Sequence, residues 1–186
     1  RSTPLYSSAA SDVYKRQVAV SLWVPEIMRF PIGTETLIGE QYWSAENVVF
    51  CILFAYFFFG TYVIQLPGIF IKELTNWIPI FRATGAIVNI ALNIILIPKY
   101  GVMGSAWATV FAFLFMSFSV FIRSHQIYPV PYNWFACIYP AIYMAIVFII
   151  GDDIWIRLAI TLSYPAIWFL FVINNEERAA LKSFIK

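Results

Sequence analysis

The chain has 186 residues, 61% hydrophobic and 12% charged, with a formal net charge of +2 and a mean hydropathy of +0.77. Soluble domains carry about 45–50% apolar and about 25% charged residues, so this chain has too little polar surface to coat a globule. An ordinary soluble enzyme, a disordered chain and a nucleic-acid binder are excluded, which leaves an integral membrane protein.

Residues 1–17 are polar and rich in Ser and Ala, with no initiator Met and no apolar core of a signal peptide. The run Ser8 to Gln17 resembles translated adapter sequence at the edge of an assembled environmental read. The segment is either such a non-native or disordered leader or a native cytoplasmic stretch. Its Lys15 and Arg16 take no part in the topology argument.

A spanning helix needs about 20 predominantly apolar residues, at ~1.5 Å of rise each across a hydrocarbon core of ~30 Å. Residues 18–30 are shorter than this and interrupted by Pro25, Glu26 and Arg29, so they read as the end of a helix. Asn47 to Ile71 carries no charge; Ile78 to Pro98 carries Arg82, Asn89 and Asn93. Tyr100 to Ile122 lies between Lys99 and Arg123, and Trp134 to Ile150 ends at Gly151-Asp152-Asp153. The last apolar stretch, 154–173, is closed by Asn174-Asn175-Glu176-Glu177, leaving 174–186 as a tail. The expected fold is therefore all-α. It is a polytopic transmembrane bundle spread over 18–173, with about five full spans plus the end of one more.

The gaps suggest an orientation. Gly33 to Glu46 holds three Glu and no Lys or Arg, so it is expected away from the cytoplasm. Alternation then places Lys72, Arg82 and Arg123 on the cytoplasmic side, Lys99 and Asp152-Asp153 outside, and the tail with Arg178, Lys182 and Lys186 inside. Trp43, Trp77, Trp134 and Trp155 fall at the ends of expected helices, where amphipathic rings favour the interface.

Chemistry-bearing residues are few. Cys51 and Cys137 both lie in apolar runs and support neither a disulfide framework nor a zinc site. The lone His125 reads as a solvated loop residue, and Asp152-Asp153, with no second acidic cluster, as a polar turn. No metal or other cofactor is implied. Arg82, Ala86, Asn89 and Asn93, spaced four, three and four apart, share one helix face. A guanidinium facing lipid costs at least ~2.5–3.5 kcal/mol at mid-membrane, and buried amides need partners or water. The stripe is expected to meet either another helix or an aqueous substrate path. Downstream, Pro98 stops a helix, Gly101 supplies a permissive turn, and Gly104, Ala108 and Ala112 repeat every fourth residue. Such a small-residue stripe lets a neighbouring backbone approach closely in lipid.

The segment Asn89 to Thr109, Asn-Ile-Ala-Leu-Asn-Ile-Ile-Leu-Ile-Pro-Lys-Tyr-Gly-Val-Met-Gly-Ser-Ala-Trp-Ala-Thr, resembles the hairpin signature of the polysaccharide-biosynthesis flippases. These transporters of lipid-linked oligosaccharide, O-antigen included, share a superfamily with the multidrug and toxic compound extrusion transporters and the lipid II flippases. Gly68 to Lys72 and Thr75 to Pro79 resemble the connection that precedes this hairpin; Ser105 and Trp107 depart from the commoner small residues.

The resemblance implies a carboxyl-terminal fragment, the partial second bundle of a transporter of about 12 to 14 helices, whose missing amino-terminal bundle would be its first partner. It implies a transporter and not an enzyme, in the cytoplasmic membrane of a prokaryote with its carboxyl terminus inside. The expected substrate is an oligosaccharide on a polyprenyl diphosphate. The expected surroundings are membrane lipids and the glycan polymerase and ligase machinery. Arg82 is the expected diphosphate contact, with Asn89 and Asn93 facing the glycan. A multidrug cation antiporter would place a carboxylate deep in a helix, and none is seen in these spans. A non-transporting scaffold, or a glycan-assembly membrane protein, is the remaining alternative.

Overall fold

The computed structural model describes residues 17, 20, 22–33, 35–127, 139, 142, 146 and 154–167. The chain divides into two units, Trp23–Tyr132 and a second formed by Arg1–Leu22 with Asn133–Lys186.

In the first unit the run 23–28 is helical and ends in a turn, Arg29 N–H donating to the Pro25 carbonyl at 3.1 Å. Two short strands follow, β1 (Pro31–Ile32) and β2 (Glu35–Thr36), antiparallel with Pro31 opposite Thr36. The hairpin is tied back through Leu37 N–H to Phe30 O and Ile38 N–H to Met28 O. A 3-10 helix, Glu40–Ala45, leads into α1 (Glu46–Ile71). At that junction Arg29 forms an ion pair with Glu46 and lies over the Trp43 ring, 5.2 Å from its centroid.

Helix α1 ends in a Schellman turn. Leu74 N–H reaches Ile69 O and Glu73 N–H reaches Phe70 O, both at 3.0 Å. This geometry puts Glu73 in the left-handed region at φ 55°, where glycine is the usual residue. Helix α2 (Trp77–Ile127) then runs for 51 residues with one non-helical residue, Gly101, at φ 56° and ψ −134°. A straight helix of that length would measure about 76 Å and hold residues 89 and 109 about 30 Å apart. Instead Asn89 lies 3.5 Å from Thr109 and Thr84 lies 3.3 Å from Ser119. The element is therefore doubled back, with an outgoing arm 77–100 and a returning arm 102–127 packed antiparallel.

Helix α1 packs along the returning arm in parallel. Near its start Cys51 and Ala55 meet Ala106 and Val110. Near its end Tyr62 and Ile69 meet Met116 and Val120, with Phe81 of the outgoing arm completing that cluster. The returning arm is thus the central rod. One of its faces carries Ala106, Val110, Ser117 and Val120 toward α1; another carries Gly104, Ala112 and Met116 toward the outgoing arm. The opposite surfaces are apolar and open, with Ile87 67% and Ile94 70% exposed. In the second unit α3 (Ile154–Ile167) is described, with Thr161 and Ser163 hydroxyls donating to the carbonyls of Arg157 and Ile160.

Two helical stretches among the described residues, Glu40–Ile71 and Trp77–Ile127, are long and apolar enough to cross a membrane. This corrects the expected five full spans plus the end of a sixth. Stretches 78–98 and 100–122 fall on the outgoing and returning arms of α2, which meet at the one non-helical residue between them. Pro98 stays within helical geometry, and only Gly101 breaks it. Of the expected span 154–173, the described part is α3, residues 154–167. Of the expected helix end 18–30, the residues described as helical are 20 and 22–28. The expected span 134–150 lies outside the described residues apart from Tyr139, Ile142 and Ile146, as do residues 168–173 and the tail 174–186.

Candidate functional site

The outgoing arm presents its polar residues along one edge. Asn93 donates through Nδ2 to Asn89 Oδ1 at 2.9 Å, the i, i+4 geometry that their spacing calls for. Asn89 Nδ2 points across the hairpin to Thr109 Oγ1 at 3.5 Å, and that hydroxyl donates to its own helix at Ser105 O. Asn93 Oδ1 is enclosed without a donor. The amides thus meet each other and the returning arm, a set of half-buried groups inside an otherwise apolar hairpin.

Arg82 does not join them. Two turns, about 10 Å, separate it from Asn89 along the axis, and its side chain is exposed. The line through Arg82, Asn89 and Asn93 follows the rim of the contact between the arms; its centre is held by Phe81 and Gly85, both buried. The structure brings the two asparagines and Thr109 together and leaves the guanidinium outside that set.

The small residues sit where the arms approach most closely. Gly104, Ala108 and Ala112 are all buried. A Cβ on Gly104 would stand 2.4 Å from Leu96 O, and one on Gly85 would stand 3.2 Å from Ala112 O. The turn between the arms is exposed at Pro98, Lys99, Tyr100 and Gly101.

A second polar set was not read from the sequence. Gln65 of α1 is buried, donating from Nε2 to Thr61 O at 2.8 Å and to Ser117 Oγ at 3.2 Å. Thr61 Oγ1 and Ser117 Oγ lie 2.6 Å apart. The Thr61 hydroxyl hydrogen goes to Phe58 O, so Ser117 is the donor between them. Ser124, also buried, donates to Gln65 O at 3.3 Å. The network therefore runs in one direction, from Gln65 to Ser117 to Thr61 to a backbone carbonyl, and ties α1 to the returning arm. Its sequence signal is weak: Thr61 and Gln65 are i, i+4 on one helix, but their partners lie more than fifty positions on.

At one end of the unit, Arg123 lies over the Trp77 ring at 4.3 Å and reaches Gln126 Oε1 at 3.4 Å. His125 is exposed and stacks on Phe121, 5.7 Å between centroids. Asp152 and Asp153 lie outside the described residues. Among the described residues no group of three His, Cys, Asp or Glu could hold a metal ion.

The fold and these groups define a class, a helical unit with membrane-length apolar helices and a polar edge on a tightly packed hairpin. Compared with known proteins, the chain matches no protein-family model, no curated protein and no solved structure.

Proposed function

We propose that this helical unit works in a membrane flippase that moves polyprenyl-diphosphate-linked oligosaccharide from the cytoplasmic to the outer leaflet. The physical task is severe, because each hydroxyl desolvated without a partner costs several kcal/mol. A polar path between helix groups, opened alternately to each side while the lipid tail stays in the bilayer, meets it. The resemblance of Asn89 to Thr109 to the flippase hairpin supports this reading.

Arg82 carries the proposal. It is a permanent cation within a membrane-length helix, exposed, with no ion pair among the described residues. An ionisable residue at such a position is by default a pathway residue. A diphosphate supplies the missing anion. Asn89 and Asn93, about 10 Å and more further along the same arm, are the glycan contacts in this reading. The end holding Lys72 and Arg123 is the cytoplasmic one, in the inner membrane of a prokaryote.

The test is leaflet exchange of a fluorescent polyprenyl-diphosphate oligosaccharide in vesicles carrying the protein, with Arg82→Ala and Arg82→Lys beside it. Exchange above that of empty vesicles, lost at least tenfold in Arg82→Ala and partly kept in Arg82→Lys at equal insertion, is expected. Equal exchange by Arg82→Ala and the unaltered protein would refute the assignment.

A further inference from the structure

We propose that Lys72, Trp77 and Arg123 form a seat for the headgroup of an anionic phospholipid. Three observations lead there. First, Arg123 is held by an aromatic face rather than by a carboxylate: its guanidinium lies 4.3 Å from the Trp77 centroid, and its hydrogen-bond partner is the neutral Gln126. A cation on an indole keeps its full charge, unlike one in an ion pair. Lys72, exposed on the turn that leads to Trp77, likewise has no ion pair among the described residues.

Second, the two ends of the unit differ in sign. At the far end Arg29 is neutralised by Glu46, and Glu35 and Glu40 stand exposed with Lys99, leaving it net negative. At the near end Lys72 and Arg123 outnumber Glu73. Third, the apolar surface begins immediately beside these cations. Phe70 and Ile71 precede Lys72 and are 52% and 60% exposed; Ile122 precedes Arg123 and is 46% exposed. A free phosphate would use the cations alone, whereas a phospholipid also covers these side chains with its acyl chains. The interfacial layer is about 5–8 Å deep, so Lys72, Trp77 and Arg123 fit within it. Arg82, about 7.5 Å further along the arm from Trp77, lies deeper and is not part of the seat.

The experiment compares association of spin-labelled phosphatidylglycerol and phosphatidylcholine with the protein in phosphatidylcholine vesicles. The unaltered protein should prefer phosphatidylglycerol, by roughly fivefold for each cation engaged. The preference should fall toward one in Lys72→Gln/Arg123→Gln and survive in Lys99→Gln at the opposite end. High salt should lower it in the unaltered protein, where no substitution can perturb folding. Inorganic phosphate at matched ionic strength should leave it unchanged. Equal association of the two lipids, a preference that survives the double substitution or is removed by Lys99→Gln, or displacement by inorganic phosphate would overturn the seat. Glycan exchange does not enter this readout, so its outcome is independent of the flippase assignment.

Discussion

Gly104 and Glu73 show how single residues set this fold. At Gly104 the backbone of the returning arm approaches Leu96 so closely that any side chain collides with a carbonyl, which cannot rotate away. Gly104→Ala must push the arms apart, and overpacking of this kind costs about 1–3 kcal/mol; the thermal midpoint in detergent should fall, with helicity kept. Glu73 is the opposite case. It holds φ 55° at the end of α1 without a glycine's freedom, a conformation that disfavours an L-residue by roughly 1–2 kcal/mol. Glu73→Gly should therefore raise the same midpoint, by an amount reduced because glycine also loosens the unfolded chain. Gln65→Leu breaks the directed network to Ser117 and removes the donor to Thr61 O. Helix–helix hydrogen bonds in membranes are worth about 0.6 kcal/mol on average, up to about 1.7, so a loss in that range is expected in a reversible unfolding assay.

Among the elements, α2 was the most legible and also the most misread. The spacing of Gly104, Ala108 and Ala112 is a property of one helix, so the close approach could be anticipated, and the outgoing arm is what approaches. Pro98 was expected to stop the helix, yet the chain accommodates it and reverses at Gly101, whose φ of 56° and ψ of −134° only glycine adopts readily. Apolar runs report how much chain can lie in lipid, not how the chain is grouped into helices, and among the described residues two stretches are long and apolar enough to cross. The polar seam of Thr61, Gln65, Ser117 and Ser124 was illegible for a related reason. Each member alone is an ordinary small polar residue, and its partner is fixed by how α1 packs, which no local spacing encodes. The hairpin has a direct check in spin labels at Ile80 and Ile122, both exposed. An unbroken helix would hold them about 63 Å apart. Packed arms, with axes about 8–10 Å apart, should give a distance of roughly 20–30 Å by pulsed dipolar spectroscopy once label linkers are included.

For the molecule as a whole, the account rests on where its apolar surface goes. A water-soluble chain hides such residues, whereas here Ile87, Ile90 and Ile94 stand exposed on the outgoing arm while Asn89 and Asn93 turn toward each other and Thr109. Composition made the apolar excess plain, and the one-edge spacing of Arg82, Asn89 and Asn93 was readable. The separation of Arg82 from the amides was not, because helical phase gives direction around the axis and says nothing of which neighbour covers that edge. The decisive measurement is the accessibility of spin labels at Ile90 and Ile94, in vesicles carrying the protein, to oxygen and to a water-soluble nickel chelate. High oxygen and low chelate collision at both sites is the outcome this account predicts. Chelate access equal to that at Lys99 on the exposed turn would contradict it.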